Sequence, residues 1–104
     1  MRFVETPIFT DFIAEVLTDE EYRQLQLALA LRPDRGALIR GSGGLRKMRW
    51  GAQGRGKRGG VRIIYYWHGA DEVVFLVFAY DKRTMKNPIP KQLRALRRTI
   101  EEFP

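Results

Sequence analysis

The stretch Leu45–Trp67 reads LRKMRWGAQGRGKRGGVRIIYYW. From Leu45 to Trp50 apolar and basic residues alternate, so a strand places Lys47 and Arg49 on one face and Met48 and Trp50 on the other. Gly51 to Gly60 is glycine-rich and basic, and reads as a loop. Val61 to Trp67 is β-branched and aromatic, the composition of a second strand. His68-Gly69-Ala70-Asp71 then reads as a hairpin turn. It leads into Val73 to Tyr80, whose nearly unbroken apolar run predicts a central strand covered on both faces.

On the N-terminal side, Arg2 to Ile8 reads as a short strand and Thr10 to Leu17 as a helix, with Thr10 as N-cap and Phe12, Ile13, Val16 and Leu17 at helical spacing. Thr18-Asp19-Glu20-Glu21 is a capping-box pattern. The helix it opens runs to about Leu31, buries Tyr22, Leu25 and Leu29, and is ended by Pro33. Gly41-Ser42-Gly43-Gly44 is a loop. On the C-terminal side, Pro90 suits the first turn of a last helix whose apolar stripe is Leu93, Leu96, Ile100 and Phe103. The expectation is an α+β domain over 1–104, an antiparallel sheet with two N-terminal helices and a C-terminal helix packed on it.

Charge is divided unevenly. The net +7 is the balance of −4 over residues 1–34, +9 over 35–70 and +2 over 71–104, and the middle segment contains no Asp or Glu. A surface built only for solubility intersperses its signs. A basic segment with glycines points instead to a polyanion, because glycine admits close backbone approach and Lys and Arg bind phosphate oxygens. Trp50, Tyr65, Tyr66 and Trp67 offer stacking surfaces for unpaired bases, although Trp50, Tyr65 and Trp67 are read first as core.

Other chemistries find little support. With no cysteine there is no disulfide, thiolate metal site or cysteine nucleophile. A single histidine excludes a two-histidine metal site, and no carboxylate cluster replaces it. No G-x-x-x-x-G-K-[ST] phosphate loop occurs. Ser42 and His68 supply two parts of a Ser–His–Asp set, but nothing in the sequence supports one. No apolar run is long enough to span a bilayer and no signal-peptide core follows Met1, so the expectation is a soluble cytoplasmic protein without membrane contact, metal or cofactor.

The segment from Gly43 to Tyr66, opening with G-L-R-K-M-R and closing with G-K-R-G-G-V-R-I-I-Y-Y, resembles the RelE/ParE superfamily of toxins from type II toxin–antitoxin systems. Within it the chain is most similar to the HigB-like branch, which carries a Gly/Lys-rich insert between two strands. Val73 to Tyr80 followed by Asp81-Lys82 fits the same pattern, as does the order of helices, so the resemblance covers essentially the whole chain.

The resemblance implies a ribosome-dependent endoribonuclease, an mRNA interferase that cuts mRNA in the A site and inhibits translation. The RNA 2′-hydroxyl attacks the adjacent phosphate, served by a basic cluster. Carried over by position, Lys47, Arg49, Arg62 and Lys82 are the catalytic candidates, and Arg46, Arg55, Lys57, Arg58, Arg83 and Lys86 the candidates for binding RNA and ribosome. Implied partners are mRNA, ribosomal RNA and a cognate antitoxin of HigA-like type with a helix-turn-helix. One departure stands out: the prototype has a tyrosine shortly after its last basic position, whereas Thr84-Met85-Lys86-Asn87-Pro88 has none. The alternatives are a ParE-like toxin that poisons gyrase, a non-enzymatic nucleic-acid-binding module, and a purely structural domain.

Overall fold

A computed structural model describes residues 1–52 and 56–102, with backbone only for residues 52 and 56–59. Its elements are β1 (Arg2–Glu5), α1 (Pro7–Val16), α2 (Asp19–Leu31), β2 (Ala37–Leu38), β3 (Arg46–Ala52), β4 (Gly56–His68), β5 (Val73–Asp81) and α3 (Pro90–Glu101). One sheet runs in the order β1-β5-β4-β3-β2. The α+β expectation holds. The sheet is antiparallel from β5 through β2, but β1 joins β5 in parallel, with Phe3 opposite Val74. The sheet is therefore mixed, and its central strand is β4. β5 is second from one edge, and its residues are buried almost throughout.

The N-terminal boundaries differ from expectation for a local reason. Thr6, with extended backbone, caps α1 by accepting from the Phe9 N–H, and Pro7 takes the first helical turn, where its missing N–H costs nothing. β1 therefore stops at Glu5, and Ile8 is helical. Thr10, expected as the cap, lies inside the helix and donates its hydroxyl to Glu5 Oε1 at 2.6 Å. Thr6 also donates to the Val77 carbonyl at 2.8 Å, which ties the start of α1 to β5. The capping box at α2 forms as read: Glu21 N–H donates to Thr18 Oγ1 and Thr18 N–H to Glu21 Oε1.

The segment read as a loop from Gly51 to Gly60 is shorter than expected. β3 extends to Ala52 and β4 begins at Gly56, with Trp50 opposite Val61. At Gly60 a Cβ would lie 2.1 Å from the Trp50 carbonyl oxygen, so glycine is required there. His68 ends β4 rather than sitting in the turn, and its Nδ1 lies 3.1 Å from Asp71 Oδ2. The two-residue strand β2 has no counterpart in the sequence reading.

Two apolar cores form on opposite faces of the sheet. Under α1 and α2 lie Phe9, Ile13, Leu25, Leu29, Met48, Val61, Ile63, Tyr65 and Leu76, with Trp50 and Trp67 packed against them, so these aromatics are core as expected. Under α3 lie Leu45, Ile64, Val77, Tyr80, Leu93 and Ile100. Phe103, expected to complete the α3 stripe, is outside the described residues. Arg97 secures α3 by stacking 4.5 Å over the Tyr66 ring and donating from Nε to the Gly43 carbonyl. No described helix is long and apolar enough to cross a membrane.

Candidate active site

Strand alternation decides which cations meet. On β3, Met48 and Trp50 turn to the α1/α2 core, so Lys47 and Arg49 turn to the α3 face. On β4, Val61 and Ile63 belong to the α1/α2 core, so Arg62 turns the same way as Lys47 and Arg49. Arg49 and Arg62 are direct cross-strand partners, and Arg62 is paired on its other side with Tyr80 of β5. The sheet leaves a cleft of about 300 Å³ here, lined by Lys47, Met48, Arg49, Arg62 and Lys82. The four residues carried over from the resemblance as catalytic thus share one cavity.

Arg62 is the unusual member. It is only 8% exposed, and its Nη1 is buried with no hydrogen-bond partner among the described residues. Leaving a buried donor unsatisfied costs about 1–3 kcal/mol, and more for a charged group. Beside it, Tyr80 is held above the usual phenol range by burial, an effect that the positive Arg62 partly opposes. The Tyr80 hydroxyl donates to Asn87 Oδ1 at 3.0 Å, which links β5 to the segment leading into α3. Lys47 is half-buried, and Arg49 and Lys82 are exposed. Two groups thus reach in from solvent toward a guanidinium at the floor. The arrangement is chemically suited to an oxyanion with several oxygens: Arg62 has an unused donor at Nη1, and three further cations line the same cleft.

The strand end at Asp81 sets Lys82 in place. Asp81 is buried, and its carboxylate accepts from the Arg83 N–H, from Arg83 Nε at 3.2 Å and from Arg83 Nη2 at 2.9 Å. These bonds hold the Arg83 guanidinium above its ordinary value. The N–H groups of Thr84 and Met85 donate to the Asp81 carbonyl. The chain therefore turns sharply after β5, and Lys82 is held at the cleft rim.

The binding candidates are dispersed. Arg46 lies on the opposite face from Lys47 and donates from Nη1 to the carbonyls of Asp34 and Gly36 at 3.0 and 2.8 Å, which anchors the 34–36 loop and keeps it out of the cleft. Arg83 is committed to Asp81. Lys86 is exposed but does not line the cavity. Arg55 lies outside the described residues, as do the side chains of Lys57 and Arg58. Tyr80, Asp81 and Asn87 were not singled out as site residues. Pairing Val73–Tyr80 against Val61–Trp67 in hairpin register would have placed Tyr80 near Arg62, which makes it the most accessible of the three from sequence. Among the described residues no cluster of His, Asp or Glu could hold a metal ion.

No protein-family model matches the chain. Among solved structures, it is similar to that of a double arginine-to-alanine variant of E. coli toxin RelE in the free state, with a TM-score of 0.61, 14% sequence identity and 95% of each chain covered. At that identity the likeness concerns the path of the backbone, and it extends over nearly the whole of both chains: this protein has a RelE-like fold.

Proposed function

We propose that the protein is a toxin of a type II toxin–antitoxin system that cleaves mRNA on the ribosome. The observation that carries this reading is the buried Arg62 guanidinium, whose Nη1 has no hydrogen-bond partner among the described residues, set with Lys47, Arg49 and Lys82 in one cleft of a RelE-like fold. A structural arginine would be neutralised or hydrogen-bonded; an unused donor facing three cations suits a phosphodiester.

In this reading Arg62 and Arg49 hold the scissile phosphate and offset the charge that grows on its oxygens in the transition state. Lys47 or Lys82 takes the proton from the 2′-hydroxyl. The 2′-oxygen bonds to phosphorus, the bond from phosphorus to the 5′-oxygen breaks, and a second ammonium group protonates the leaving oxygen. The products are a 2′,3′-cyclic phosphate and a 5′-hydroxyl. No metal or cofactor takes part. The partners are mRNA, ribosomal RNA and a HigA-like antitoxin, and the protein acts in the cytoplasm.

The test is a toeprint on ribosomes translating a defined mRNA, with wild type, Arg62→Ala and ribosome-free mRNA in parallel. Cuts in the A-site codon made by wild type alone, and only on ribosomes, are expected. A folded wild-type protein that arrests growth without cutting would transfer the reading to a gyrase-directed, ParE-like toxin.

A further inference from the structure

Between Asp81 and Glu101, the nineteen residues Lys82 to Ile100 hold seven Lys or Arg and no Asp or Glu, a second acid-free basic run. Three of the seven are accounted for. Lys82 lines the cleft, Arg83 is bonded to Asp81, and Arg97 stacks on Tyr66. Lys91, Arg94 and Arg98 are exposed, and none makes an ion pair among the described residues.

Their spacing is that of one helix face. Leu93 and Ile100 are buried beneath α3. Lys91, Arg94 and Arg98 recur at intervals of three and four on the opposite side, over about 10 Å of helix axis. Ala95 is also exposed on that side, and the exposed Glu101 and Glu102 close the face at its C-terminal end, Glu101 lying 4.0 Å from Arg97. The chemistry of the face selects among polyanions. It lacks the apolar surface that an interfacial helix inserts into a bilayer, because Leu93, Leu96 and Ile100 are spent on the core. It lacks the aromatic or apolar anchor of a protein hot spot, and the rings on which unpaired bases stack. What remains is a row of cations matched to phosphates, with no means of reading bases.

We propose that Lys91, Arg94 and Arg98 form a docking surface for the phosphate backbone of double-helical RNA, separate from the cleft. α3 packs on the sheet face to which Lys47, Arg49 and Arg62 turn, so a ligand on the stripe and a strand in the cleft approach from the same side. The choice of RNA over DNA rests on the function proposed above; the complementarity to a phosphate backbone does not.

The probe is a fluorescent, blunt RNA duplex of about 20 base pairs, slightly longer than the span of one double-strand-binding domain. Its affinity is measured between about 50 and 200 mM salt for wild type and for Lys91→Gln/Arg94→Gln/Arg98→Gln, with folding checked by circular dichroism. Loss of three phosphate contacts makes the slope of log affinity against log salt shallower by about 2 to 3 and weakens binding at least tenfold. Arg2→Gln/Arg32→Gln, which removes exposed charge elsewhere, is expected to leave the slope within half a unit. Wild-type slope and affinity in the triple variant overturn the proposal, as does an equal loss in the Arg2/Arg32 control. A loss seen on a DNA duplex of equal length or on anionic phosphatidylserine vesicles, but not on RNA, overturns it as well. If the triple variant misfolds, Arg94→Gln alone is read the same way, with an expected change of slightly under one unit. The binding assay involves no cleavage, so absence of ribosomal cuts bears on the cleft, whereas an unchanged salt slope bears on α3.

Discussion

Arg49 and Arg62 face each other in register across β3 and β4. Like charges directly opposite on a sheet destabilise it, and here one of the two is also buried with Nη1 unpartnered. The fold tolerates this pair at a cost to stability. Arg62→Met, which keeps the length and removes the charge, is therefore expected to raise stability by about 1–2 kcal/mol, or roughly 4–8 °C in melting temperature per kcal/mol. The same variant is expected to abolish ribosomal cleavage. Calorimetry and the toeprint together check it; a variant that melts lower than wild type and still cuts would refute both halves.

Tyr65 is fully buried and its hydroxyl works twice, accepting from the Gly36 N–H at 2.8 Å and donating to the Pro33 carbonyl at 2.8 Å. Tyr65→Phe strands a buried N–H beneath the loop that joins α2 to β2. A loss of about 1–3 kcal/mol is expected in urea unfolding, with an unchanged m-value.

The capping box at α2 offers a cleaner test, because it lies on the far side of the sheet from the cleft. Thr18→Ala removes the acceptor for the Glu21 N–H and is expected to cost about 1 kcal/mol. RNA cleavage by the folded protein should stay within twofold of wild type.

Gly44 has φ +101°, and a Cβ there would approach Tyr66 Cε1 to 2.9 Å. Gly44→Ala must strain the loop and push the Tyr66 ring from beneath Arg97. A loss of more than about 1 kcal/mol is expected, since an alanine where φ is positive is strained before any clash is counted. Arg97→Ala in the Gly44→Ala background should then cost less than in wild type.

Burial raises Tyr22, Tyr65 and Tyr80 above the ordinary phenol value of 10.0, and for Tyr22 the Glu5 carboxylate that accepts its hydroxyl adds to the shift. A group whose folded pKa is raised contributes stability that is complete below the unfolded value and is lost as pH climbs through the folded one. Stability is therefore expected to hold up to about pH 10 and to fall beyond it. Tyr22→Phe should lie below wild type at neutral pH and fall less steeply on the alkaline side. Urea midpoints measured across that range decide it.

Much of this architecture is legible in the chain because β3, β4 and β5 carry strong local patterns. Alternation over Lys47-Met48-Arg49-Trp50 fixes a face for each residue, and with it two of the cations that line the cleft. The same alternation sets Arg46 on the other face, where it donates to the carbonyls of Asp34 and Gly36. Thr6-Pro7 is a helix start of cap followed by proline, and Thr10 misled because it too is a threonine before apolar residues. The parallel docking of β1 was not legible. Four residues hold too little pattern to choose a partner strand, and the choice is made by contacts such as Thr6 to Val77, far apart in sequence. That Arg62 Nη1 finds no hydrogen-bond partner among the described residues is also beyond sequence, since it depends on what the neighbours do not supply.

The pairing of β1 with β5 bears on when the cleft is completed. The strand made first must wait for one begun some seventy residues later, and the cleft needs β3, β4 and the turn that carries Lys82. Contacts of such sequence separation form late, after the cost of closing long loops has been met. A nascent chain still short of Asp81 has neither its fifth strand nor the last wall of its cleft. The ribosome that synthesises this protein therefore holds an incomplete site until the final quarter of the chain has emerged.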